Sequence, residues 1–214
     1  MSFLDFLFPK RSLEGKEGEW MTPSELPRLL SRPRLFSETE LRIMGMPSLD
    51  RVLAVSAYHE VPLLRRAIHT FKYRRIPGLG EKLQQLLTEG FMKHIAPRRD
   101  ACVCPVPLHW SREYWRGFNQ AEILARSLAE RTGLPLCALL RRIRPTGHQA
   151  RRRRDARWSA VRGAFALNPN PNPLPFTIYL VDDLMTTGAT MEECAKMLKA
   201  AGMKRVEGVV LAHG

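Results

Sequence analysis

Apolar and polar positions change period several times along this chain, and each change marks an element. Residues 52–58 and 178–181 are nearly continuous apolar runs of strand length, and residues 206–212 read as a closing strand. Runs of that kind, bounded by turn residues, fit strands buried on both faces. Between them the period lengthens. A helix is predicted from Pro62, a favoured first helical residue, to about Tyr73, and a second over 79–95 after Pro77 and Gly78. Residues 101–106 predict another strand, closed by Pro105 and Pro107. Residues 119–131 predict a helix with Ala121, Leu124, Ala125 and Leu128 on one face and Gly133 beyond its end. Residues 136–140 read as a short strand. After Val181 the apolar run breaks at Asp182 and Asp183. Thr186-Thr187-Gly188-Ala189-Thr190 then opens a helix whose Met191, Cys194, Ala195 and Leu198 recur at helical spacing, with Gly202 at the position of a left-handed cap.

Strands alternating with helices predict an α/β domain with a mostly parallel sheet flanked by helices, its site carried on loops at the strand C-terminal ends. Residues 1–50 do not share the pattern. A short apolar opening gives way to a polar stretch with Pro23, Pro27, Pro33 and Pro47, so an irregular, peripheral N-terminal extension is expected ahead of a domain over 51–214. Pro169, Pro171, Pro173 and Pro175 mark a surface connection.

Charge adds a second layer. Among 214 residues the net charge is +13, a balance suited to polyanionic partners. Residues 141–162 hold nine arginines against one acid, Asp155, so most of the excess lies in one segment. The four cysteines, Cys102, Cys104, Cys137 and Cys194, form no Cys-x-x-Cys pair, and free thiols in a reducing cytoplasm are expected. No structural zinc and no dedicated metal-ligand cage are expected. No apolar run reaches the roughly 18 residues of a membrane span. The opening nine residues, interrupted by Asp5, make a poor signal peptide, so a cytoplasmic protein without membrane insertion is the expectation.

The 182–190 stretch carries the clearest chemistry. It lies between a strand end and a helix N-terminus, where unpaired N–H groups and the helix dipole favour an anion. Gly188 permits close approach of the backbone, and Thr186, Thr187 and Thr190 add hydroxyl donors. Two acids would repel a phosphate, so Asp182 and Asp183 are expected to face neutral donors such as ribose hydroxyls. One loop thus accounts for both ends of a ribose 5-phosphate. A second block, from Pro105 through Val106, Pro107, Leu108 and His109 to Arg112 and Arg116, is a proline-braced turn whose two arginines suit a pyrophosphate, with Asn119 as the cap of the next helix. The third block is the arginine-rich segment, including Arg144, Gln149, Arg151, Arg152, Arg153, Arg154 and Arg157. Three readings of it stand: a lid over an anionic substrate, a nucleic-acid contact with Trp158 or His148 for stacking, or a solvated loop.

The 182–190 stretch resembles the loop by which type I phosphoribosyltransferases bind phosphoribosyl pyrophosphate (PRPP). That resemblance implies that Asp182 and Asp183 hold the ribose at the reaction centre. It implies that Met185, Thr186, Thr187, Gly188, Ala189 and Thr190 surround the 5-phosphate. Pro107, Leu108, Arg112 and Arg116 then lie on the pyrophosphate side, and Mg²⁺ enters through PRPP. Tyr58, Ile68, Lys72-Tyr73-Arg74, Pro105-Val106-Pro107-Leu108, Arg112, Arg116-Gly117-Phe118-Asn119-Gln120, Arg144, Thr146, Gln149 and the acid pair occur in an order similar to the ComF family, competence-associated phosphoribosyltransferase-like proteins. The match spans about residues 51–212. It implies a type I phosphoribosyltransferase-like fold and a link to DNA uptake. The implied partners are PRPP or a nucleotide, single-stranded DNA, a competence helicase and a recombination mediator. Two functions follow: a Mg²⁺-dependent pentosyl transfer to an unspecified acceptor, or a non-catalytic nucleotide- or single-stranded-DNA-binding module. Two departures stand out. No cysteine precedes Cys102, so the family's zinc element is at most a remnant in residues 1–50. The family's Arg-x-x-Asn before the Gly-x-Phe step appears here as Arg157-Trp158-Ser159-Ala160.

Overall fold

The longest apolar runs become adjacent strands of one sheet. The structure, a computed structural model, describes residues 25, 27–73, 77–145, 154–169 and 176–214. Among these the elements run β1 (Arg34–Phe36), α1 (Glu38–Ile43), β2 (Arg51–Ala57), α2 (Pro62–Tyr73), α3 (Pro77–His94), β3 (Ala101–Pro105), α4 (Trp110–Arg116) and α5 (Gln120–Thr132). They continue with β4 (Leu140–Arg142), α6 (Arg154–Val161), β5 (Phe165–Leu167), β6 (Thr177–Met185), α7 (Ala189–Ala200) and β7 (Arg205–His213). The main sheet has the order β1-β2-β7-β6-β3, and only β1 runs antiparallel to its neighbour. The architecture is therefore α/β with a mostly parallel sheet.

Strand alternation sorts the core into two layers. Leu53, Val55, Val103, Tyr179, Val181, Val209 and Leu211 face α2, α3 and α5, whose Leu64, Leu83, Phe91, Leu124 and Leu128 complete one cluster. Val52, Ala54, Cys102, Cys104, Ile178, Leu180 and Val210 face the other way, against Leu41 of α1 and Met191, Cys194 and Leu198 of α7. The helix after β3 and the helix after β6 thus lie on opposite faces, and the crevice between those two strand ends is where α/β sheets bind ligands.

Four sequence expectations are corrected. Residues 27–50 are neither irregular nor peripheral. They supply edge strand β1 and helix α1, the latter closed by a Ser37–Glu40 capping box, and they bury Leu29, Phe36, Leu41, Met46 and Leu49. The prolines misled because they punctuate short elements without keeping the apolar residues out of the core. Residues 136–140 do not form a strand of the sheet; Leu136 makes one isolated parallel bridge to Val103, and β4 begins only at Leu140 and pairs with β5. The stretch after Pro107 is not all loop, since it contains α4. Finally, β6 does not end at Val181 but continues through both acids to Met185, paired with β7 along its length.

At the opposite end of the sheet Glu207 is fully buried and takes Arg51 on one oxygen, at 2.6 Å, and Arg205 on the other. The pairing ties neighbouring strands β2 and β7 where their backbones are in register at Arg51 and Glu207.

Candidate functional site

Because β6 stays extended past Val181, Asp182 and Asp183 leave opposite faces of the strand. Asp183 is buried and its Oδ2 lies 2.9 Å from the Lys72 Nζ in the last turn of α2. Asp182 is half-buried, and its Oδ1 accepts the Asp183 N–H at 2.8 Å. The acids therefore do not face neutral groups alone: a lysine that sequence reasoning left without a role is the partner of one of them. Burial would by itself lower the Lys72 pKa, but Asp183 and then Asp182 more than offset it, so the ammonium is held above its usual value.

The loop after β6 turns at Gly188, which has φ +78° and serves as the N-cap of α7. A Cβ there would run into the Met46 side chain, so residues 44–49 set the shape of the turn from below. The same segment reaches α7 again where the Glu192 carboxylate accepts the Ser48 N–H. In α1, α4 and α5 the side chains of Ser37, His109 and Asn119 accept an N–H of the first turn. Gly188, which lacks a side chain, makes no such bond, and the N-terminus of a helix capped this way suits water or an anion. Thr186 is exposed, Thr187 and Thr190 are half-buried, and Met185 and Ala189 are buried beneath them.

A cationic wall stands opposite. Val106 leaves β3 and its carbonyl accepts from Asn119 Nδ2 at 3.1 Å, which fixes the start of α5 against the strand exit. Pro107 and Leu108 bridge to His109, and Arg112 and Arg116 follow one turn apart on α4. Arg116 donates to Gln120 Oε1 at 3.0 Å and its guanidinium lies 5.4 Å from the Tyr73 ring centroid, beside Lys72. Arg142 of β4 approaches from the other layer, its guanidinium 5.2 Å from the Phe165 ring centroid. Burial first, and Arg112 next, hold Arg142 below the usual arginine pKa; burial and then Arg116 do the same to Arg112. His109 is lowered by burial and then by Arg142 and Arg112, which keeps the imidazole neutral at pH 7; its Nδ1 accepts the Ser111 N–H. The buried Gln120 Nε2 has no partner among the described residues. A buried donor without an acceptor costs about 1–3 kcal/mol, which an anionic ligand beside Arg116 would recover.

Sequence reasoning thus named Asp182, Asp183, the 185–190 loop, Pro107, Leu108, Arg112 and Arg116, and the structure brings these onto adjacent strand ends. It missed Lys72, His109, Gln120 and Arg142. Lys72 and Gln120 sat inside quoted motifs, which was a usable signal, whereas Arg142 was one of nine arginines with nothing to single it out. Arg144 donates to the carbonyls of Arg162 and Gly163, closing the end of the β4–β5 hairpin. Trp158 packs against the core and against Gly45. Arg154 and Arg157 fall in the backbone of α6, and Thr146, His148, Gln149, Arg151, Arg152 and Arg153 lie outside the described residues, as does residue 74 of the Lys-Tyr-Arg block. The stretch assigned to a zinc remnant lies outside them up to residue 24. Among the described residues no three His, Cys, Asp or Glu side chains are grouped to hold a metal ion, and no helix is long and apolar enough to cross a membrane. The described cysteines are free, and burial pushes the Cys104 thiol up to about 12.

Burial, and then repulsion by Asp183, push the Asp182 carboxyl up to about 7, against the opposing pull of Lys72 and Arg142. The sign follows from proton linkage. Above about pH 4 the unfolded chain has lost this proton while the folded chain keeps it up to about pH 7. This group's contribution to stability therefore falls as pH rises across that window. Asn in place of Asp182 keeps the oxygen that accepts the Asp183 N–H and removes the charge. Asp182→Asn should raise the Tm at pH 8 by roughly 3–6 °C, for about 1–2 kcal/mol, and leave it unchanged near pH 4. Differential scanning calorimetry at the two pH values checks this, and a lower Tm at pH 8 would refute it.

No family model matches the chain. It is 29% identical over 167 residues to the competence protein F of Haemophilus influenzae, covering 75% of this chain and 72% of that protein. It is 33% identical over 171 residues to the DNA utilization protein YhgH of Salmonella typhi, covering 75% of this chain and 71% of that protein. Similarity extends to the competence protein ComFC of Bacillus subtilis, 28% identical over 147 residues, with 69% of this chain and 58% of that protein covered.

Proposed function

Given that the chain belongs to the ComF family of competence proteins, we propose that its 182–190 loop and cationic wall bind PRPP with Mg²⁺ in the service of DNA uptake. One observation carries this reading. An N-terminus of α7 without a side-chain cap, two adjacent carboxylates and four cationic side chains converge on the ends of β3 and β6. The α7 N–H groups and the threonine hydroxyls suit a 5-phosphate, and Asp182 and Asp183 suit ribose hydroxyls. Lys72, Arg112, Arg116 and Arg142, with the buried Gln120 amide, suit the pyrophosphate.

Hard carboxylate oxygens are the right donors for Mg²⁺, and the ion in this reading arrives on the substrate's own oxygens. Bound there, it would neutralise charge on the departing pyrophosphate. The chain's residues do the rest. Asp182 and Asp183 orient the ribose, and Lys72 is released from Asp183 to meet the leaving group. The names of the relatives tie those proteins to competence and DNA utilization, and we extend that role to this chain.

Titration calorimetry of the full chain with PRPP tests the reading. Binding should require Mg²⁺ and should weaken as pH falls below about 7, where Asp182 takes up a proton that its ribose contacts cannot tolerate. In Asp182→Asn the decline with pH should be shallower by one proton. Absence of PRPP binding at millimolar concentration with Mg²⁺ would remove the assignment.

A further inference from the structure

Helix α4 carries more than the two arginines of the cleft. Its sequence is Trp110-Ser111-Arg112-Glu113-Tyr114-Trp115-Arg116, and none of its residues is buried. Trp110, Tyr114 and Trp115 are 72, 83 and 86% exposed. Three large aromatics on seven residues, all in solvent, have no role in the core. Helical spacing puts Trp110 and Tyr114, four apart, on one side, with Trp115 about 100° further round, between them and the arginines. Arg112 and Arg116, also four apart, take the other side, toward the cleft. The surface continues beyond the helix. The exposed Tyr73 ring lies beneath the Arg116 guanidinium, and the Trp110 ring sits 5.5 Å from the His109 ring.

Aromatic rings interleaved with guanidinium groups match single-stranded nucleic acid, whose bases stack on the rings while its phosphates meet the cations. A second copy of the chain fits poorly. Pairing this face with itself would bring Arg112 and Arg116 of two chains together, on a protein whose net charge is already +13. Duplex DNA fits poorly as well, because its bases are already stacked. We infer that the exposed face of α4, formed by Trp110, Tyr114 and Trp115, is a stacking platform for the bases of single-stranded DNA, with Arg112 and Arg116 tracking the backbone. This rests on the DNA-linked part of the reading above and not on PRPP binding. It also moves the stacking role from Trp158, which is packed against the core, to α4. Because the arginines are shared, the strand and PRPP should exclude one another.

The test uses the full chain and a fluorescein-labelled 20-nucleotide oligo(dT), read by anisotropy at several salt concentrations. Wild type should bind with quenching of tryptophan fluorescence. Trp115→Ala should weaken binding about tenfold and the triple alanine variant of Trp110, Tyr114 and Trp115 more than about 100-fold, with the slope of log affinity against log salt unchanged. Trp115→Phe, which keeps a ring, should retain most of the affinity. A thermal melt of the triple variant should match that of wild type, showing that the fold is intact, and its PRPP affinity should stay at the wild-type value; if the triple variant does not fold, the wild-type quenching and the Trp115→Ala to Trp115→Phe comparison decide. Wild-type oligo(dT) affinity in a folded triple variant would overturn the platform while leaving the DNA reading standing. Failure of wild type to bind oligo(dT) would overturn both. Equal affinity for a duplex of the same length would overturn stacking. Loss of self-association in the triple variant on size-exclusion chromatography, with DNA binding intact, would assign the face to a second copy instead.

Discussion

The Asp182→Ala, Asp183→Ala double variant should bind PRPP with Mg²⁺ more than about 100-fold more weakly than the parent chain, the largest effect expected of any change at this site. In the proposed bound state each carboxylate accepts ribose hydroxyls, and a hydrogen bond to a charged group contributes about 1.5–3 kcal/mol, so losing both should remove at least two decades of affinity. The change also strands Lys72, whose Nζ loses the Asp183 oxygen now 2.9 Å away. Calorimetry with PRPP, beside a thermal melt to show the variant is folded, is the measurement. Affinity within a few-fold of wild type in a folded double variant would mean that the acids do not touch the ligand. Lys72→Met separates the two parts of the site. If Lys72 serves the pyrophosphate, that variant should lose affinity for PRPP while keeping its affinity for ribose 5-phosphate, which lacks the leaving group.

Glu207→Ala should lower the Tm by roughly 6–9 °C, reflecting a loss of about 2–3 kcal/mol. Removing one member of a buried ion pair generally costs about 3–5 kcal/mol because the partner charge is stranded. Here the cost is at the low end, since Arg51 and Arg205 are each partly exposed and can rehydrate. Glu207 itself is fully buried, so the reverse experiment differs in kind. Arg51→Ala leaves the carboxylate still held by Arg205 and should cost less than Glu207→Ala. Thermal melts of the two variants decide the order. Because this cluster lies at the far end of the sheet from the acid pair, PRPP affinity in the folded Glu207→Ala protein should be unchanged.

Much of the fold was legible because its strands are buried on both faces. Residues 52–58 and 209–212 had to be nearly all apolar to serve both core layers, and no other element explains such runs. The helices declared themselves by period and caps: Asn119 before α5, Gly133 after it, and Gly202, with φ +100°, after α7. The boundaries that failed did so where local signals and tertiary pairing disagree. Two adjacent aspartates read as the end of a strand, since charged residues disfavour a sheet interior. In the structure β7 supplies the backbone partners that carry β6 on to Met185, and Lys72 and Arg142 supply the charges that make the acids tolerable there. Residues 27–50 read as peripheral because prolines set them apart, yet Phe36, Leu41 and Met46 had a core to enter that only the folded sheet provides.

The sequence by itself determined the α/β class, the alternation that divides the core into two layers, and the strand–acid–threonine–helix order whose local backbone geometry suits an anion. These depend on residues near one another in the chain, where period, caps and glycine positions act directly. Only the tertiary structure decided which further cations join Arg112 and Arg116 there. Lys72, from the end of α2, and Arg142, from β4, stand about 110 and about 40 residues away from the acid pair along the chain. A charge becomes a ligand-binding group only through what the fold places beside it, so Lys72 stayed without a role inside its motif and Arg142 was one of nine arginines in its segment.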